Sequence, residues 1–151
     1  MFGFFSLEIE NNLPAVCKRG IVSKFEVQLI EEIDARIVYV KEPVRFEDFI
    51  SFFENELEKR ILRNTVWEFE PGVLQYLNLD ELKRFMSIRR SNIERRSGGH
   101  TILVGHESSE VMLMKWYKSF AEDLPFHDVQ FHIAKDVEEA KQIIKDAMSA
   151  S

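Results

Sequence analysis

Cysteine, glycine, proline and long apolar runs are all scarce in this sequence, and each scarcity closes off a class of protein. The lone cysteine, Cys17, has no partner for an internal disulfide, which excludes a disulfide scaffold and agrees with a reducing compartment. Six glycines and four prolines are too few for a collagen-like or low-complexity chain. No apolar run reaches the ~18 residues that crossing a bilayer requires, and the opening MFGFFSLEIENN lacks the basic segment and long apolar stretch of a secretory leader. No transmembrane segment is expected, and the expected location is the cytoplasm. Chemical signatures are equally sparse. Neither G-x-G-x-x-G nor G-x-x-x-x-G-K-[ST] occurs to cradle a nucleotide phosphate, G-x-S-x-G is missing, and no H-E-x-x-H or paired C-x-x-C announces a zinc site. No cofactor and no metal is expected, and no motif demands catalysis; a hydrolase would need a site that the sequence conceals.

What the chain does have is an ordinary globular balance of 45% apolar and 30% charged residues. Its 151 residues suit one domain, and a monomer of this size buries roughly 70% of its unfolded surface, enough to fold without crosslinks. Twenty Lys and Arg against 26 Asp and Glu leave a net charge of −6, which opposes nonspecific adhesion to nucleic acid, so no nucleic-acid partner is expected. One stretch reverses the sign: Lys83, Arg84, Arg89, Arg90, Arg95 and Arg96 lie together with Glu94 the single acid among them. Arg89, Arg90, Arg95 and Arg96 are candidates for a patch that meets an anionic partner; equally, cations there complement the negative end of a helix dipole. No aromatics interleave with them as single-strand stacking would require.

Residues 1–20 show no clear period and read as an N-terminal extension whose Phe2, Phe4 and Phe5 can dock elsewhere, leaving 21–151 as the domain. Phe25, Val27 and Leu29 alternate with polar neighbours, the period of a half-buried strand, and Ile37 to Val40 is a second, more buried one; the two form a hairpin. Phe46, Phe49, Ile50, Phe53 and Leu57 recur at helical spacing, with Phe52 off their stripe. Thr65 to Phe69 is a third strand ended by Pro71 and Gly72. Asn78 with Glu81 forms a capping box, opening a second helix that runs through Leu82, Phe85, Met86, Arg89 and Ile93 to the stop at Gly98 and Gly99. Thr101 to Val104 is a fourth strand, Glu110 to Ala121 a third helix, Val129 to Ile133 a fifth strand, and Asp136 with Glu139 caps a last helix. The order ββαβαβαβα predicts an α/β sandwich with four helices on a mixed, mostly parallel sheet of about five strands.

That order, together with TVWEFEPGVLQYLNLDELKRF (Thr65 to Phe85) and HTILVGHESSEVMLMKWYKSFAEDLPFHDVQFHIAKDVEEAKQII (His100 to Ile144), resembles the STAS-like superfamily, the fold of anti-sigma-factor antagonists and sulphate-transporter tails. The D-x-E-E-A helix start, here Asp136, Glu138, Glu139 and Ala140, is similar to its stand-alone bacterial branch. The resemblance covers roughly residues 21 to 148 and implies a noncatalytic binding or regulatory module acting on a protein partner. In antagonists of this superfamily an Asp-Ser or Asp-Thr pair at the start of the second helix carries a regulatory phosphate. Aligned on Gly72, that place is held by Leu77, Asn78, Leu79 and Asp80, so the usual phosphoswitch is not expected. Ser108 and Ser109, before the third helix, read either as N-caps or as phosphate acceptors.

Among the histidines, His127 and His132 are predicted to point to opposite faces, and His106, with Glu107 at a strand-to-helix turn, is the best candidate for a polar site residue or an ordinary loop histidine. The third helix carries an apolar excess: Val111, Met112, Leu113, Met114, Trp116, Tyr117 and Phe120 exceed the one face a core can cover. Phe52 adds to the surplus. Met112, Trp116 and Phe52 are therefore candidates for contact with a second copy of the chain or with a hydrophobic, lipid-like ligand. Docking of the N-terminal phenylalanines, or simple deep packing, would account for the same excess.

Overall fold

The computed structural model describes residues 24–57, 59–89, 95–123 and 128–150. The expected extension at 1–20, together with Arg90, Ile93 and His127, lies outside them. Strand β1 (Phe25–Ile30) pairs antiparallel with β2 (Ala35–Val40) through a short 3-10 turn at Glu31–Ile33, closed by Asp34 in the left-handed region at φ 49°. Strands β3 (Asn64–Phe69), β4 (His100–Val104) and β5 (Gln130–Ala134) then add in parallel, in the spatial order β1-β2-β3-β4-β5. Helix α1 (Phe46–Phe52), which continues as a π-helical turn at Phe53–Leu57, links β2 to β3. Helix α2 (Leu79–Ile88) lies between β3 and β4, α3 (Ser108–Glu122) between β4 and β5, and α4 (Val137–Ala150) ends the fold. Among the described residues the protein is thus an α/β sandwich of four helices on a five-stranded, mostly parallel mixed sheet.

Side chains alternate across each strand, and the two faces have different chemistry. One carries Val38, Val40, Trp67, Phe69, Leu103 and Phe131 and packs against α1, α2 and α3. The other carries Ile37, Val66, Ile102, Val104 and Ala134 and is covered by Ala140 and Ile144 of α4. The first is aromatic and thick, the second aliphatic and thin. Among the described residues no helix is long and apolar enough to cross a membrane.

The capping predictions hold in detail at α2, where Asn78 Oδ1 accepts from the Glu81 amide at 2.8 Å and Glu81 Oε1 from the Asn78 amide at 3.2 Å. At α4 the Glu139 amide donates to Asp136 Oδ1 at 2.8 Å. Helix α3 differs from expectation. Its N-cap is Glu107, with no side-chain cap bond, and Ser108 is already inside the first turn.

Phe52 also departs from expectation. It is only 7% exposed, because β1 brings Phe25 over the far side of α1: the rings stack at 4.3 Å, and Trp67 meets Phe52 edge-on at 6.0 Å. The helical stripe predicted from one core face did not include this strand, so Phe52 is a core residue and not an interaction surface. Phe52→Ala is expected to cost about 3–5 kcal/mol of stability, measured by urea unfolding, with no change in the oligomeric state of the protein that remains folded.

Candidate functional site

The space between α2, α3 and the sheet is incompletely filled. A cavity of about 50 Å³ there is lined by Phe49, Trp67, Phe85, Leu103, Met114 and Tyr117 among others, with Glu81 and Arg89 its charged members. Leu77, Glu81, Leu82 and Leu113 are the half-buried lining residues, which places the mouth between α2 and α3. Helix α3 is held over this space by Glu110 in its first turn. The Glu110 carboxylate is buried and its Oε2 accepts from the Gly72 amide at 2.6 Å, in a turn where Gly72 has φ 82°. Burial raises the Glu110 pKa, and the Gly72 amide works against that rise.

The basic stretch is where the structure corrects the sequence most. Arg89 and Arg96 are 1% and 2% exposed and so cannot form a surface patch; of the four candidates, Arg95 is exposed and Arg90 lies outside the described residues. Arg96 is a clamp. Its Nε donates to the carbonyls of Leu62 and Arg63 at 3.1 and 3.2 Å, and its Nη2 to those of Arg63 and His100 at 3.0 and 2.8 Å, tying the starts of β3 and β4 together. Burial first, then the neighbouring charge of Arg89, pushes its pKa down to about 9, still cationic at neutral pH. Arg36, also buried, donates to the Arg60 carbonyl at 2.7 Å.

Arg89, just past the end of α2, has fewer partners. Its Nη1 donates to the Tyr117 hydroxyl at 3.0 Å, and its guanidinium lies 5.5 Å from the centre of the Phe85 ring. The negative end of the α2 dipole offsets part of its desolvation. Among the described residues the Arg89 Nε has no hydrogen-bond partner, nor do the buried Arg96 Nη1, Thr101 Oγ1 and Glu110 Oε1.

The other candidates lie elsewhere. Met112 and Trp116 are 52% and 42% exposed on the outer side of α3, as the apolar excess predicts, whereas Met114 and Tyr117 face inward. His106 sits beyond β4 with Nε2 3.5 Å from Glu68 Oε2, a half-exposed pair that is ionic whenever His106 is protonated. It joins neither the cavity lining nor the buried arginines.

A pairing that sequence reasoning missed links His100 to His132, Nδ1 to Nε2 at 2.9 Å, with ring centres 5.1 Å apart. Both project from the α4 face of adjacent strands, and only the β4–β5 register, which sets Ile102 beside His132, reveals that they meet. Among the described residues no three His, Cys, Asp or Glu side chains gather to hold a metal ion.

No family model matches this chain, and neither a curated protein nor a solved structure matches it.

The histidine pair generates a pH dependence. Burial lowers both pKa values, reinforced at His100 by Arg63 and Arg96 and at His132 by the charge of His100. A histidine whose folded pKa lies below its unfolded value of about 6.5 binds fewer protons when folded, so stability rises with pH across that window and is lost as pH falls through it. The melting temperature is expected to fall between pH 7.5 and about 5.5, and His132→Gln to flatten that slope; an equal slope in the variant would assign the loss to other groups.

Proposed function

We propose that this chain is a noncatalytic binding module of the STAS-like type, working in the cytoplasm, whose ligand is a small hydrophobic molecule held between α2, α3 and the sheet. The observation that carries this is the cavity walled by Phe49, Trp67, Phe85, Leu103 and Tyr117. Protein interiors pack as densely as organic crystals, and an unfilled apolar space forfeits the dispersion contacts of every atom around it. An apolar guest restores those contacts and removes its own surface from water. The element order and mixed sheet that the STAS-like resemblance implies are consistent with this assignment, and the lack of a hydroxyl at Leu77 to Asp80 argues for binding without the usual phosphoswitch. Native mass spectrometry of the full chain, purified without detergent, should display a bound apolar adduct. Leu82→Trp, which fills the mouth, should lose the adduct and keep its circular dichroism spectrum. Bare protein mass under several expression conditions counts against the proposal.

Self-association or docking of a protein partner through the outer side of α3 is a second function with its own support. Met112 and Trp116 are four residues apart, so their exposed side chains adjoin on one helix face. Sedimentation velocity should then give a dimer for the wild type and a monomer for Trp116→Glu. A monomer in both removes self-association and leaves the cavity proposal intact.

A further inference from the structure

The polar end of the ligand is specified by the arginines beneath the cavity. In a parallel β/α arrangement the helices run back against the strands, so the end of α2 reaches the amino-terminal edge of the sheet. Arg36 of β2, Arg89 and Arg96 are all buried at that edge on the three-helix face, and Thr101 of β4 joins them. The electrostatics place them close together: the charges of Arg89 and Arg36 both act on Arg96. Arg36 and Arg96 have their positive charge solvated by backbone carbonyls. Arg89 alone of the three lines the cavity, and its described partners are one neutral hydroxyl and one aromatic ring.

A guanidinium taken out of water in this way, with its Nε unsatisfied among the described residues, carries a desolvation cost that the α2 dipole, the Tyr117 hydroxyl and the Phe85 ring offset only in part, and a bound anion would offset the remainder. Like-charged neighbours make the place still more electropositive. Aromatic walls, in contrast, favour an apolar body over a hydrated ion. We propose that the cavity takes a small carboxylate with an apolar body, its carboxylate against the Arg89 guanidinium and its body among Phe49, Trp67, Phe85 and Leu103. The planar N–H edge of arginine matches the two oxygens of a carboxylate, and charge-assisted bonds of this kind are the stronger ones. The Tyr117 hydroxyl, which accepts from Arg89 Nη1, positions the guanidinium toward the cavity.

This assignment rests on the cavity being a ligand site, and a matched pair of probes separates the two claims. Hexanoate and hexanol share a chain and differ in the head group. Isothermal titration of the full chain at neutral pH should show hexanoate binding at least about ten-fold more tightly than hexanol, and Arg89→Met should abolish that preference while hexanol affinity stays within about three-fold. Equal affinity of the two probes for the wild type overturns the carboxylate assignment and leaves the cavity proposal standing; failure of both to bind sinks the two together. Should Arg89→Met not fold, the wild type decides. Its Arg89 Nε–H resonance should shift on adding hexanoate and not on adding hexanol, and a resonance unmoved by hexanoate overturns the assignment.

Discussion

Three parallel crossovers that all run in one direction across the sheet dictate most of what is particular to this protein. A β-strand, helix, parallel β-strand connection is right-handed, so when each new strand is added on the same side of the last, successive helices are placed on the same face. Helices α1, α2 and α3 therefore share one face of the sheet, and α4, which follows β5, covers the other. The shared face must bury three helices side by side, and large rings fill the uneven space between them. Trp67 packs against Phe49 at 5.8 Å and stacks with Phe69 at 6.1 Å, while Phe85 reaches Phe49 at 5.7 Å and Tyr117 at 6.4 Å. Rigid rings meeting at assorted angles leave gaps that flexible aliphatic chains would close, and the cavity lies among them.

The same topology explains why a sandwich core contains cations. Helices running against the strands deliver their carboxyl ends to the amino-terminal edge of the sheet, where the first carbonyls of β3 and β4 and the connections before them need donors. Arg96 meets that need for Leu62, Arg63 and His100, and Arg36 does so for the Arg60 carbonyl. Both are structural by this account. Arg89 has the dipole of α2, but among the described residues its guanidinium has the Tyr117 hydroxyl and no comparable set of carbonyls, and this difference among three buried arginines is what supports the proposal that it faces a ligand.

Element order, strand type and caps were legible because each rests on neighbours in the chain. The Asn78–Glu81 and Asp136–Glu139 boxes span three residues, and the alternation of β1 and the continuous apolar run of β2 announce a half-covered and a doubly covered strand. The candidate site was legible only in part. Exposure of Met112 and Trp116 follows from helical spacing, since a stripe of one face cannot include them. Phe52 defeated the same reasoning because its cover comes from β1, a strand more than twenty residues away. Arg89 and Arg96 defeated it because charge predicts solvent exposure unless partners are known, and their partners are Tyr117 and the carbonyls of distant turns. Nor does any local signal announce the His100–His132 contact, which depends on the pairing of two strands.

By itself, then, the sequence determined that this is an α/β chain with an initial hairpin, capped helices and an apolar surplus on α3, all properties carried by short-range periodicity. Tertiary structure alone decided which of the surplus residues reach solvent, which cations are buried, and that a cavity opens between α2 and α3. Those outcomes depend on register and on the packing of elements far apart in the chain, where the balance between burying a charge and supplying its partners is settled by atoms that no local pattern brings together.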